Sequence, residues 1–305
     1  MPGPPFFFYR IVRMVTRGVW QAIAAYVAWG LFPFYWKQVD RVPALQVIGH
    51  RILWSFVVLA LVALGRGHGR RLVAVCTPRV LLIYGAAAVL VSGNWFAYIW
   101  AVNQGLIVET SLGYFINPLV SVVLGVVIFQ EHLRALQWVA VAAAAAGVAY
   151  LTFAYGSVPW IAVTLAVTFS VYGVMKRLAP FGSLDGMTIE TAITGLPALL
   201  YLLYAERSGA GAFGHDGVTT TLYLTGAGIV TTLPLVLFST AVRQIPMTLI
   251  GILQYISPTL QLAAGVLFYH EPFSRDQLIG FGGVWAGLVL FALDGLLARH
   301  ADFRR

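Results

Sequence analysis

The sequence predicts an all-α polytopic membrane protein of ten transmembrane helices, built as an inverted repeat of five plus five. Three observations predict it. Apolar residues make up 60% of the 305 positions and charged residues only 10%, whereas a soluble domain carries about 25% charged residues. Ten stretches are apolar over the length a crossing needs, roughly 20 residues each. The chain also repeats itself at one fixed offset of 140 residues.

The expected spans are 18–37, 44–64, 80–102, 107–129, 136–154, 158–176, 186–205, 219–242, 247–269 and 276–297. Span one carries Tyr26, Trp29, Pro33 and Trp36, and span two carries Gln46, His50, Arg51 and Trp54. Span three holds Asn94 and Tyr98; span four holds Glu109, Tyr114 and Asn117-Pro118. Span five is alanine-rich around Ala143 and Gly147. The second half then answers the first at the 140 offset: Trp160 to Trp20, Ala241-Val242 to Ala101-Val102, Ser257-Pro258 to Asn117-Pro118. His270-Glu271 answers Gln130-Glu131, Gln277 answers Gln137, and Ala286-Gly287 answers Ala146-Gly147. With an odd number of spans per half, the halves must sit in opposite membrane orientations, as in many secondary transporters with a site between the repeats. The domains are then a tail at 1–17, a first repeat at 18–154, a second at 158–297 and a tail at 298–305.

Charge sets the orientation, because Lys and Arg collect in cytoplasmic loops. With the N-terminus in the cytoplasm, fourteen Lys and Arg residues fall inside and four outside (Lys37, Arg41, Arg207, Arg275). Both termini are therefore expected in the cytoplasm, with the protein in the inner membrane of a bacterium. Glu131 then faces inside and Glu271 outside. The net charge of +8 is dispersed over short loops and does not form a nucleic-acid surface. Met14, directly before span one, is a second candidate start.

Several chemistries find no support. The single Cys76 makes no disulfide framework and no cysteine-rich metal site. No phosphate-binding glycine loop, zinc-binding His-Glu-x-x-His or nucleophile elbow occurs. The chain is expected to use no cofactor and not to be an enzyme. His68, His132, His215, His270 and His300 fall in loops or near span ends and read as solvated.

The strings Ala25-Tyr26-x-x-Trp29-Gly30, His50-Arg51-x-x-Trp54-Ser55, Gly93-Asn94-Trp95 and Glu109-x-Ser111-Leu112-Gly113-Tyr114-Phe115-Ile116-Asn117-Pro118 resemble a known pattern. So do Ile189-Glu190-Thr191, Gly228-Ile229-Val230-Thr231-Thr232-x-Pro234 and Gln254-Tyr255-Ile256-x-Pro258. Over residues 17–297 the chain resembles the EamA-type family of the drug/metabolite transporter superfamily, on its RarD-like branch. The resemblance implies ten helices, an inverted repeat, and export or exchange of small metabolites.

Candidate site residues follow from the cost of polarity in lipid. A charge at the centre of a spanning helix costs about 2.5–3.5 kcal/mol on insertion scales, so such residues are usually functional or paired. Gln46, His50 and Trp54 share one face of span two, and Arg51 lies about 100° further round. Glu190 is the repeat mate of His50 and is a candidate proton carrier; a hydrogen-bonded packing role is the other reading. Asn94 with Tyr98, the face of Glu109, Gly113 and Asn117 with Tyr114, and Gln254 with Tyr255 suit the wall of a wet cavity. Trp29, within the aromatic series of span one, suits a flat aromatic solute.

The resulting expectation is a secondary transporter moving a small amphipathic metabolite or drug by alternating access. Proton coupling through Glu190 or His50 stands beside uncoupled facilitation; an intramembrane enzyme or a non-transporting scaffold is the alternative. The partners are the small solute and the lipid bilayer. Ala143, Gly147, Gly283 and Gly287 make small-residue faces on spans five and ten, which favour close helix approach. These spans are expected to pack together away from the pore, with a homodimer through that face as the alternative.

Overall fold

A computed structural model describes residues 4–69, 72, 77–104, 107–156, 159–270 and 273–303. Side chains are described for these except at 4–13, 99, 102–103, 107–109, 155, 296 and 298–303. All the regular structure among the described residues is helical. The helices are α1 (Pro4–Gly30), α2 (Phe32–Trp36), α3 (Ala44–Gly65), α4 (Pro78–Asn103), α5 (Ile107–Phe129) and α6 (Ala135–Tyr155). The second half has α7 (Trp160–Leu178), α8 (Ser183–Arg207), α9 (Gly217–Ala241), α10 (Met247–Gln254), α11 (Ile256–Phe268) and α12 (Arg275–Phe303). Nine spans among the described residues have the length and apolarity to cross a membrane, α10 and α11 counting as one. By position, α1 is the tenth.

Each span is helical because hydrocarbon offers no partner for backbone N–H and C=O groups, which must then bond within the segment. The ends are set by residues that cannot continue a helix or need not. Pro43, Pro159 and Pro246 stand at N-caps, where a missing N–H costs no helical bond. Pro33 has no N–H for the Trp29 carbonyl, and the helix breaks at Leu31. Gln261 Nε2 donates to that freed oxygen at 3.1 Å. Span nine likewise breaks at Tyr255, three residues before Pro258. Its mate Pro118 is carried inside an unbroken α5, so the two equivalent prolines act differently.

The repeat is visible at the level of the backbone. Gln130 (φ 52°) and His270 (φ 55°), 140 residues apart, are the two non-glycine residues in the left-handed region among those described. Gln137 Oε1 accepts from the Arg134 amide at 2.9 Å, and Gln277 Oε1 from the Ser274 amide at 2.9 Å. The same helix-start device thus explains the Gln137/Gln277 equivalence.

Inversion follows from α6 and α12. A Cβ on Gly147 would lie 2.4 Å from the Gly280 carbonyl, and one on Gly287 would lie 2.6 Å from the Ala140 carbonyl. Gly283 approaches Ala143 and Gly147 between them. Position numbers rise along α6 as they fall along α12, so these mates run antiparallel and the halves are inverted. The close packing expected of spans five and ten is present. Elsewhere the halves are interleaved: α3 packs on α8 and α9, α4 on α7 and α8, α1 on α9, α10 and α11, and α5 on α7 and α10. Large apolar side chains such as Leu82, Phe153 and Val218 point outward, as a bilayer-facing surface requires.

Candidate solute cavity and polar seal

Interleaving of the two halves leaves a cavity of about 530 Å³, in the range of small-molecule sites. Tyr26, Trp29, Phe32, Pro33, Trp36, Arg51, Asn94, Trp95, Tyr98, Gly113, Tyr114 and Asn117 line it from the first half. Leu165, Phe169, Leu235, Gln254, Ser257, Pro258 and Gln261 line it from the second. None of its described lining comes from α6, α8 or α12. One end reaches the exposed Asp40 in the turn between α2 and α3.

Of the sequence-predicted site residues, Trp29, Arg51, Asn94, Tyr98, Tyr114, Asn117 and Gln254 are brought together on this wall. Trp29 packs on Tyr26, Phe169 and Phe238 with centroids 5.6–5.7 Å apart. Asn94 Nδ2 donates to the Leu165 carbonyl at 2.8 Å and to Thr168 Oγ1 at 2.9 Å, tying α4 to α7. The Tyr98 and Tyr114 rings meet edge to face at 6.0 Å. Asn117 Oδ1 accepts from Ser170 Oγ at 2.7 Å, and Ser170 also contacts Ser121 Oγ at 3.1 Å. Arg51 Nε donates to Thr231 Oγ1 at 3.0 Å. Its guanidinium carbon lies 4.7 Å from the Trp36 ring centroid and 4.5 Å from that of Trp95.

Three predicted site residues lie elsewhere. His50 is buried away from the cavity and stacks on Phe213 at 4.9 Å. On the same helix face, Gln46 donates to the Ala210 carbonyl at 2.6 Å and accepts from the Ala212 amide at 3.0 Å. The Gln46-His50-Trp54 stripe therefore clamps the 208–216 loop, and of these four candidates on α3 Arg51, further round, is the one that reaches the cavity. Tyr255 is fully buried between the halves, and its hydroxyl donates to the carbonyl of Phe115, its own repeat mate, at 3.2 Å. Glu190 is 3% exposed and pairs with Lys176 Nζ at 2.7 Å, accepting also from the Tyr172 hydroxyl at 3.2 Å. It borders a separate void of about 20 Å³, lined by Ser55, Thr191, Thr194 and Thr231 together with apolar residues such as Val91 and Leu235. The side chain of Glu109 lies outside the described ones, as does Glu271 entirely.

Sequence reasoning missed Lys176 by assigning it to a cytoplasmic loop. It is 1% exposed in the last turn of α7, where the Glu190 carboxylate offsets the cost of burying its charge. Two histidines read as solvated are paired. His68 Nδ1 meets Asp185 Oδ1 at 2.7 Å. His215 Nε2 meets Glu206 Oε1 at 2.7 Å, and this hydrogen bond raises the imidazole pKa above its ordinary value.

The end of the molecule opposite Asp40 is closed by a polar cluster. Glu131 Oε1 accepts from Arg177 Nη1 at 3.0 Å and from the Met247 amide at 2.7 Å; its Oε2 accepts from the Thr248 amide at 2.8 Å. A carboxylate at a helix N-terminus is favoured by the unpaired amides and the helix dipole. Here the first half caps α10 of the second. Arg177 Nη1 also donates to the Ile245 carbonyl at 3.2 Å, and Arg243 Nη1 to the carbonyls of Ala179 and Phe181 at 2.8 and 2.7 Å.

Ten-span inversion, with a largely aromatic cavity bearing a few polar groups between the repeats, defines a membrane transporter. Comparison with known proteins gives the family. The EamA-like transporter family matches residues 16–153 and again 157–293, and the chain belongs to it. Among its relatives, the uncharacterized transporter YojE of Bacillus subtilis is 42% identical over 290 residues, covering 94% of this chain and 97% of the relative. Protein RarD of Escherichia coli is 37% identical, covering 94% and 98%. The chloramphenicol-sensitive protein RarD of Pseudomonas aeruginosa is 30% identical, covering 96% and 99%. One solved crystal structure superposes with a TM-score of 0.71 at 20% identity, over 90% of this chain and 97% of that one, a likeness of fold. The protein is thus a multi-pass membrane transporter of a bacterial family.

Proposed function

We propose that the protein moves a small amphipathic solute across the bacterial inner membrane by alternating access between its two halves. The observation that carries this is the cavity of about 530 Å³ walled by both repeats, bounded at the opposite end by the Glu131-Arg177-α10 seal. By the Lys and Arg bias of the loops, both termini and the seal face the cytoplasm, and the Asp40 end faces out. The aromatic wall of Trp29, Phe32, Trp36 and Phe169 suits an apolar body, while Asn94, Asn117 and Gln254 suit polar groups on it. Moving the solute inward requires α10 to part from Glu131.

The two residues considered for proton coupling stand away from the cavity. Glu190 is matched by Lys176, so the pair is neutral as a whole, and His50 packs beneath a loop. The favoured mechanism is therefore movement without obligatory proton coupling. Flux of radiolabelled solutes into proteoliposomes tests both points. The expected result is saturable flux that equilibrates the solute with or without an imposed pH gradient. Accumulation driven by that gradient would contradict the uncoupled mechanism, and flux no faster than in protein-free liposomes would contradict transport.

A further inference from the structure

The solute's charge is written in the cavity wall. Among the described residues, Arg51 and Asp40 are the only Lys, Arg, Asp or Glu that line it. Asp40 sits at the exposed rim with Lys37 Nζ 3.5 Å away. The other ion pairs among the described residues join His68 to Asp185, Arg134 to Asp294, Lys176 to Glu190, Arg177 to Glu131 and His215 to Glu206. None includes Arg51. Its described contacts are neutral, among them one threonine hydroxyl at Nε and two indole rings. Indole faces attract a cation but carry no net charge, so no described side chain offsets the charge of the guanidinium.

We propose that the transported solute is a small monocarboxylate with an apolar, preferably aromatic, body, and that Arg51 selects it. This rests on the proposed transport of an amphipathic solute and names its chemical class. A guanidinium presents a rigid fork that matches a carboxylate with two parallel hydrogen bonds. With Nε committed to Thr231 and both indoles beside it, Arg51 offers its terminal nitrogens to one planar acceptor. A single cation balances a monoanion and leaves a dianionic phosphate half-compensated. The carboxylate supplies the counter-charge that no described residue gives Arg51, and Trp29, Phe32 and Phe169 receive the body. An ammonium in the same place meets like charge.

The test is equilibrium binding to the purified full-length chain in nanodiscs, followed by calorimetry and tryptophan fluorescence. The probes share one benzyl body: phenylacetate, phenylacetamide and phenethylamine. Phenylacetate should bind about tenfold or more tighter than the amide, since hydrogen bonds to charged groups are the stronger ones. The amine should bind weakest. Arg51→Gln should erase the preference for the acid, bringing the acid and amide affinities to within about twofold of each other. Arg51→Lys keeps the charge and loses the fork, so it should retain part of the preference; it carries the test if the glutamine variant does not fold. Equal affinities for acid and amide in the unaltered protein, or a preference that survives Arg51→Gln or is unchanged in Arg51→Lys, would overturn the proposal. So would an acid preference that appears only on Glu109→Gln, which would make Glu109 the counter-ion. In these cases the amide still binds and the amphipathic-solute reading stands. Binding of none of the three probes overturns that reading as well.

Discussion

At the scale of single residues, burial separates what the cavity uses from what the scaffold uses. Arg51, Asn94 and Asn117 spend hydrogen bonds on the protein and still line the cavity. Glu190 and Lys176 spend their charge on each other, both nearly fully buried. Removing one partner of such a pair leaves an uncompensated charge and costs about 3–5 kcal/mol, whereas replacing both with neutral groups is often near neutral. Glu190→Gln is therefore expected to lower thermal stability sharply, and Lys176→Met with Glu190→Gln to recover most of it. Thermal unfolding of the purified variants in detergent checks this; equal melting of the single and double variants would show that the two residues do not depend on each other. Arg51 was legible in the sequence because a lone charge in a span is costly wherever it lies. His50 and Glu190 were legible as special but not as to role. Their partners, Phe213 and Lys176, come from segments that no helical spacing connects to them.

At the scale of elements, the α6–α12 contact is held by the absence of side chains. Gly147 lies where a Cβ would come within 2.4 Å of the Gly280 carbonyl, and Gly287 within 2.6 Å of the Ala140 carbonyl. Neither helix backbone can yield without moving the whole span. Gly147→Leu is expected to separate α6 from α12, with a loss beyond the about 1–3 kcal/mol typical of core overpacking. Gly282→Leu, with open space around its Cβ, should be tolerated. Cysteines replacing Ala143 and Gly283 should crosslink within one chain, and Gly147→Leu should abolish that crosslink. Crosslinking only between chains would assign the face to a homodimer instead. These helices were readable in advance because small residues recur at the repeat offset. The break of span nine at Tyr255 was not, since its mate Pro118 sits in an unbroken helix.

At the scale of the whole molecule, the halves are inverted copies of one plan, and the seal joins them at one end. The repeat and its inversion could be read from the sequence because a membrane span is defined by one local property, apolarity, and the 140 offset is arithmetic. The seal could not, because it joins Glu131, Arg177 and the start of α10 across three separate turns. A face of α5 connects the two ends: Asn117 lines the cavity, Ser121 is buried below it, and Gly125 touches Glu131 and Thr248. Weakening the seal should open this face toward the cytoplasm and close the cavity on the other side.

Reciprocal accessibility is the most direct measure of that claim. In a Cys76→Ser background, single cysteines replace Ile48, which lines the cavity, and Ser121, which is 2% exposed. A membrane-impermeant maleimide is then applied from each side of sealed vesicles, with and without Glu131→Ala. With the seal intact, the cysteine at 48 should label from outside and that at 121 from neither side. With Glu131→Ala, labelling at 121 should appear from the cytoplasmic side while labelling at 48 from outside falls. Labelling at 121 that rises with no fall at 48 would describe a leak through the protein and would contradict alternating access.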